Sequence, residues 1–304
     1  MEWKQIQAPL GTGALSRARS PVWRTFAALL LLTAPLAPAQ GSSSARTYSG
    51  FDANEYPGDA LLPALRRQFA FTGYWLNNPP GASHNAWIGK RALLVKNGFG
   101  FLVLFNGRLN KDILASQKRG TRPEAFGQAD AALAVAAARR EGFPPGTILF
   151  LDQEEGGRMF PEQAAYLLGW TEAVAASSYR PGLYASGQPV DDGKDDRGRH
   201  LTITTIQDIR QQVAARHLHP IAIWAIQDAC PPAPGCVVQS PAPAPDISGT
   251  LGALAWQYAQ SPRRTEFTRA CGATYRDGNC YAPGVPGFPV DLSSSTSPDP
   301  SHGR

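Results

Sequence analysis

The stretch TILFLDQEEGG, residues 147–157, runs from apolar residues straight into Asp152, Glu154 and Glu155. Burying an unpaired charge is costly, so a core strand that ends in carboxylates needs a reason for them. A barrel of parallel strands supplies one, because the carboxyl ends of its strands form the reactive rim.

The flanking sequence repeats the pattern. Strand-like runs recur as YSGFDAN (48–54), FAFTGYWLN (69–77), FGFLVLFNG (99–107), RPGLYASG (180–187), PIAIWAIQDA (220–229), GALAWQYAQ (252–260) and GFPVDLS (287–293). Helical spacing separates most of them, at 59–68, 87–96, 127–142, 161–177 and 204–217. With 147–153 the sequence predicts an α/β fold, a single-domain irregular (β/α)8 barrel of the TIM type over residues 46–293. The last two crossovers lack clear helices. A doubly wound open sheet is the alternative, but no G-x-G-x-x-G follows the first strand and no G-x-x-x-x-G-K-[ST] occurs. Residues 294–304 read as a disordered, solvated tail.

Of the 304 residues 43% are hydrophobic and 17% charged, which excludes a disordered chain and allows a sizeable core. The formal net charge is +5; Lys4, Arg17, Arg19 and Arg24 against Glu2 supply +3, leaving +2 for the rest. A near-neutral body gives no electrostatic case for nucleic acid. Arg17, Arg19 and Arg24 precede FAALLLLTAPLAPAQ, and Ala37-Pro38-Ala39 is a small-x-small cleavage site. Residues 1–39 are therefore expected to be a secretory signal peptide, with the mature chain secreted or periplasmic, free of a membrane span and monomeric. The apolar run is shorter than the ~20 residues a membrane span needs.

Cysteine usage agrees with export. Cys230 and Cys236 flank PPAPG, and Cys271 and Cys280 flank GATYRDGN. Three pairings are possible; the local one, Cys230 with Cys236 and Cys271 with Cys280, is the simplest because each pair closes a short turn-rich loop. A metal site is disfavoured: neither loop holds a histidine or a C-x-x-C spacing. His84, His200, His217, His219 and His302 are scattered, and no cofactor is expected. The acids of VDDGKDDRGRH (190–200) lack the alternate ligand positions of a calcium loop and read as a solvated face.

Polar groups at the other strand ends give a candidate site. Asp52 ends the first run, Tyr74 falls in the second, Tyr184 in the fifth, Trp224 in the sixth, Trp256, Gln257 and Tyr258 in the seventh and Asp291 in the eighth. Asp152 and Glu154, two apart, share one side of a strand, whereas Glu155 points the other way. Two close carboxylates push their acidities apart and yield a general acid and an anionic partner, the equipment of glycoside hydrolysis. Asp152 and Glu154 are thus the candidate catalytic pair. Asp52 and Asp291 would hold water or sugar hydroxyls, and Trp256 and Tyr258 would stack on the ring. The bland reading is that these acids cap the following helix or pair with Arg158.

GFDANEYPG (50–58), ILFLDQEE (148–155), RPGLYASG, AWQY (255–258) and FPVDLS (288–293) also fall in the order of the landmark segments of family-25 glycoside hydrolases, the muramidase-type lysozymes. The sequence is similar, more closely still, to the related glycoside-hydrolase-like domains of unknown function, through G-F-D on the first strand and GYWL (73–76) on the second. The resemblance implies a TIM-type barrel, a glycan substrate such as peptidoglycan, and Glu154 as general acid. It departs at the second strand, where GYWLNNPPG replaces the lysine–acid–glycine stretch of the muramidases, and at WAIQDA on the sixth. Two functions follow: an exported hydrolase of a cell-wall glycan, or a glycan-binding barrel that keeps the pocket without turnover.

Overall fold

The computed structural model describes residues 46–153, 155–272 and 275–304. The expected signal peptide, 1–39, and Glu154 lie outside the described residues. The chain order is β1 (Tyr48–Asp52), α1 (Leu62–Arg66), β2 (Phe71–Trp75), α2 (Arg91–Lys96), β3 (Gly100–Asn106), α3 (Asn110–Lys118), α4 (Pro123–Arg140) and β4 (Ile148–Gln153). There follow α5 (Pro161–Ala175), β5 (Arg180–Ser186), β6 (Val190–Lys194), β7 (His200–Ile203), α6 (Thr205–Ala215), β8 (Ala222–Ile226), β9 (Ala255–Ala259), α7 (Thr265–Thr268) and β10 (Asp291–Ser295).

Eight strands close a barrel in the order β1-β10-β9-β8-β5-β4-β3-β2, and β6 and β7 form a separate two-stranded sheet. The (β/α)8 expectation therefore holds, with one irregularity: β10 is antiparallel to both of its neighbours. The reason is local. Among the described residues between β9 and β10 only the four-residue α7 is helical, too short to carry the chain back to the other end of the barrel, so the chain stays at the carboxyl rim and β10 runs down from it. Asp291 thus reaches the rim from the start of its strand, opposite Asp52.

The downward run delivers the C-terminus to the amino end of the barrel, and this corrects the expectation of a disordered tail. Phe101 N donates to Asp299 Oδ1 at 2.9 Å, Val103 N to Ser301 Oγ at 2.9 Å and Ile148 N to Ser301 O at 2.8 Å. These are the backbone N–H groups that a barrel leaves open at its lower ends, and burying them requires partners. Arg91 closes the seam through two bonds to Gly303 O, at 3.0 and 2.7 Å.

Contacts between strands that are not neighbours identify the inward side chains: Phe150 meets Trp224 at 5.9 Å between ring centroids, and Trp224 Nε1 donates to Ser293 Oγ at 3.2 Å. Tyr184, paired with Trp224 on the neighbouring strand, lies on the same side, 4.4 Å from its ring. Strand alternation then places Asp52, Trp75, Asp152, Gln257 and Asp291 inside and Tyr74, Trp256 and Tyr258 outside. Gly73 is inward too. A Cβ there would lie 2.5 Å from Asp52 Cβ, closer than two carbons can approach. Gly73→Ala is accordingly expected to destabilise by about 1–3 kcal/mol in chemical denaturation, the range for overpacking a filled core. Unchanged stability would mean that Asp52 is free to move away.

Candidate active site

Three strand ends bring carboxylates to one cleft. Asp52 of β1, Asp152 of β4 and Asp291 of β10 line a cavity of about 210 Å³ at the carboxyl rim, with Asn54, Trp75, Pro80, Tyr184, Gln260, Ser261 and Pro262. Asp52 and Asp152 are 5% and 4% exposed, so both present a carboxyl group from a largely dry wall.

Gln257 organises the floor. Its Nε2 donates to Asp52 Oδ1 and Oδ2 at 3.2 and 3.1 Å and to Asp291 Oδ2 at 3.3 Å, while its Oε1 accepts from the Tyr184 hydroxyl at 2.8 Å. Burial pushes the Asp52 carboxyl up to about 7, against the opposing pull of the Gln257 hydrogen bond. Asp291 is also held well above the ordinary aspartate range, first by burial and then by the charge of Asp52; the Ser261 N–H, 2.6 Å from its Oδ1, acts the other way.

The segment after β4 is tied on both sides. Glu155 Oε2 accepts from Asn110 N at 2.8 Å and from Gln163 Nε2, so Glu155 turns to the helix layer and locks α3 and α5. Arg158 reaches Asp192 of β6 at 2.7 and 3.0 Å and buried Asp208 of α6 at 2.9 Å, and Met159 N also donates to Asp208 at 3.0 Å. Behind the rim, fully buried Asp228 is held by Arg264 Nη2 at 2.6 Å and Gln188 Nε2 at 2.6 Å.

Several expected ligand contacts are corrected. Tyr74 is fully buried on the outer face, among Trp87, Phe101 and Phe143, with its hydroxyl donating to Glu141 Oε2 at 2.5 Å. Trp256 and Tyr258 also face outward and are fully buried; Trp256 Nε1 donates to Gln227 O at 2.7 Å and the Tyr258 hydroxyl to Val237 O at 3.3 Å. Both pack under the Pro-rich segment between β8 and β9, which covers the barrel where a crossover helix would otherwise lie. Trp224 fills the barrel interior and Gln257 is fully buried, so neither lines the cleft; Gln257 reaches it only through the side chains it bonds. Trp75 is the aromatic wall that the sequence reading missed. Its signal is alternation: if Gly73 is inward, Trp75 is inward and Tyr74 is not.

The cysteines pair across the two loops, Cys230 with Cys271 and Cys236 with Cys280, at Cα separations of 5.2 and 5.0 Å. This overturns the local pairing. The β8–β9 segment and the β9–β10 segment lie side by side on the rim, and Cys230 N donates to Phe267 O at 3.3 Å across them. Among the described residues no group of three or more His, Cys, Asp or Glu side chains is placed to hold a metal ion.

No curated protein matches the chain. An uncharacterised protein of B. stearothermophilus is similar in structure, with 24% identity over 81% of this chain and 94% of that one and a TM-score of 0.48. The Tat-secreted protein Rv2525c of Mycobacterium tuberculosis, solved with L-tartrate, shows 14% identity, covers 82% and 95% of the two chains and has a TM-score of 0.45. The spore cortex lytic enzyme SleM of Clostridium perfringens gives 14% identity, 83% and 68% coverage and a TM-score of 0.49. A family model described as the Rv2525c-like, glycoside hydrolase-like domain matches residues 77–244, which carry Asp152, Tyr184 and Trp224, whereas Asp52, Gln257 and Asp291 lie outside the matched span. That span is more than half of the chain, and the protein belongs to the Rv2525c-like, glycoside hydrolase-like domain family.

Proposed function

We propose that the protein is an exported hydrolase of glycosidic bonds in a cell-wall glycan such as peptidoglycan. The observation that carries this reading is the convergence of Asp52, Asp152 and Asp291 on one cleft at the carboxyl rim. Glycoside hydrolysis needs a protonated acid beside an ionised one, and carboxylates in partly dry, mutually repelling positions meet that need. Glu154 is the proton donor to the glycosidic oxygen, and Asp152 is the anion that stabilises the oxocarbenium-like transition state or activates the attacking group. Asp52 and Asp291 hold water or sugar hydroxyls. Trp75 and Tyr184 supply the apolar surface for the ring in place of Trp256 and Tyr258. Release of reducing ends from peptidoglycan and from chitin-like polymers by the purified exported protein tests the proposal; no release from either sinks it.

A glycan-binding barrel without turnover is the second reading. The observation favouring it is that the barrel's own Gln257 already occupies both Asp52 oxygens and one of Asp291. Glycan binding with no reducing ends released would establish it.

Two disulfides support export, because such bonds persist in oxidising compartments. Among the described residues no helix is long and apolar enough to cross a membrane. Mass measurement of the exported protein is expected to place its N-terminus at or near Gln40; a mature form that keeps residues 25–39 would count against the signal peptide.

A further inference from the structure

Asp52 and Asp291 are direct cross-strand partners where β1 meets the antiparallel β10. Side chains in such positions stand only ~4.5–5.5 Å apart at Cβ, and like charges there repel. The groups that face the pair can be named from every side. From β9 comes the Gln257 amide, whose Nε2 lies 3.1–3.3 Å from oxygens of both acids. From β5 comes the Tyr184 hydroxyl, spent on Gln257 Oε1. From β4 comes Asp152, another acid lining the same cleft. The segment after β9 gives the Ser261 N–H on Asp291 Oδ1. Asp228, beyond β8, adds a further negative charge, and Arg264, a cation that acts on Asp291 from a distance, is engaged with Asp228 through Nε and Nη2. Among the described residues no lysine, arginine or histidine lines the cleft.

Among the described residues the two carboxylates thus meet across a single amide, with no cation between them. One amide has two N–H groups and cannot satisfy two ionised carboxylates. A shared proton resolves the repulsion, as it does wherever two acids occupy one dry site.

We propose that Asp52 and Asp291 act as one acid dyad that holds a single proton, with Gln257 as its positioning residue. Tyr184 fixes the amide by donating to Oε1, which turns Nε2 toward the acids. Burial holds both carboxyls above the ordinary aspartate range, and the charge of Asp52 pushes Asp291 further the same way, which agrees with this arrangement. The dyad gives the cleft an O–H donor for a ligand hydroxyl or acetal oxygen, where two bare carboxylates could only accept. It concerns the cleft of the proposed hydrolase but does not require turnover.

The test follows the side-chain carboxyl titrations of both aspartates by 13C NMR in the full chain. Asp291→Asn removes the like charge, and Asp52 is expected to titrate at least about one pH unit below the upper step of the wild-type pair. Gln257→Leu removes a donor to the ionised form, so the upper step is expected to rise. Shifts of opposite sign are not the mark of a residue that only fills space. An Asp52 titration unmoved by Asp291→Asn would overturn the dyad. If Gln257→Leu does not fold, Asp52→Asn decides: Asp291 must then titrate lower than in the wild type, and no movement sinks the proposal. Reducing-end assays on the same wild-type preparation keep the two readings apart. A protein that titrates as a dyad yet cleaves no glycan loses the hydrolytic reading alone.

Discussion

Glu154→Gln is expected to lower the rate of reducing-end release by roughly 10²–10⁴-fold, the usual loss when a positioned general acid is removed. Glutamine keeps the size and the hydrogen-bonding capacity of the side chain but cannot give up a proton at neutral pH. The fold should survive because the exchange is isosteric, and the described residues on the C-terminal side of Glu154 have ties of their own. Glu155 binds Asn110 N and Gln163, and Arg158 binds Asp192 and Asp208. Glu155→Gln makes the contrasting control. It removes a charged acceptor from those bonds, so it should lower stability by about 1–3 kcal/mol. At a temperature where both variants are folded, Glu155→Gln should retain much more of the rate. Initial rates on the same glycan, beside melting curves of both variants, separate chemistry from support. If Glu154→Gln cleaves as fast as the parent, the proton donor lies elsewhere, and the Asp52–Asp291 pair is the next group to test.

The strand ends were legible in the sequence because period-2 and period-3.6 patterns alternate clearly from Tyr48 to Asp291. The meeting of Asp52, Asp152, Tyr184 and Asp291 at one rim followed from strand position alone. The faces were harder. Gln257 is inward, so its neighbours Trp256 and Tyr258 must be outward; treating all three as ligand contacts broke the alternation that defines a strand. Large aromatics at a strand end usually suggest a sugar platform, but here they are apolar cover for a barrel wall that has no crossover helix over it. The direction of β10 left no mark in FPVDLS, since a five-residue strand reads the same either way. Nor could the sequence choose among three cysteine pairings, because that choice depends on two loops lying side by side. The serine- and proline-rich tail looked solvated until Asp299 and Ser301 proved to be the partners of the lower ends of β3 and β4.

Replacing Cys236 and Cys280 together by serine should cost about 3 kcal/mol with the other bridge intact, and removing both bridges about 7 kcal/mol, on the chain-entropy account of cross-links. The two figures differ because the bridges interlock. Alone, either bridge closes a loop of more than forty residues, with sequence separations of 41 and 44. With Cys230–Cys271 in place, the second bridge closes only the short circuit of six residues from Cys230 to Cys236 and nine from Cys271 to Cys280. Each bridge is thus worth less beside its partner than it is alone. The Cys236–Cys280 bridge should also be felt in the cleft. Cys280 N donates to Ser261 Oγ at 2.8 Å, Ser261 Oγ donates to Val290 O at 2.8 Å, and Ser261 N donates to Asp291 Oδ1 at 2.6 Å. Losing it slackens the wall that presents this N–H, so Asp291 should hold its proton to higher pH. Among the described residues no such chain of hydrogen bonds joins the Cys230–Cys271 bridge to Asp291, and its double serine variant should lose similar stability with a smaller shift. Denaturation curves for the three variants and the Asp291 carboxyl titration measure both effects. Equal titrations in the two single-bridge variants would break the link between staple and cleft. Non-reducing peptide maps showing the local pairs would overturn the pairing itself.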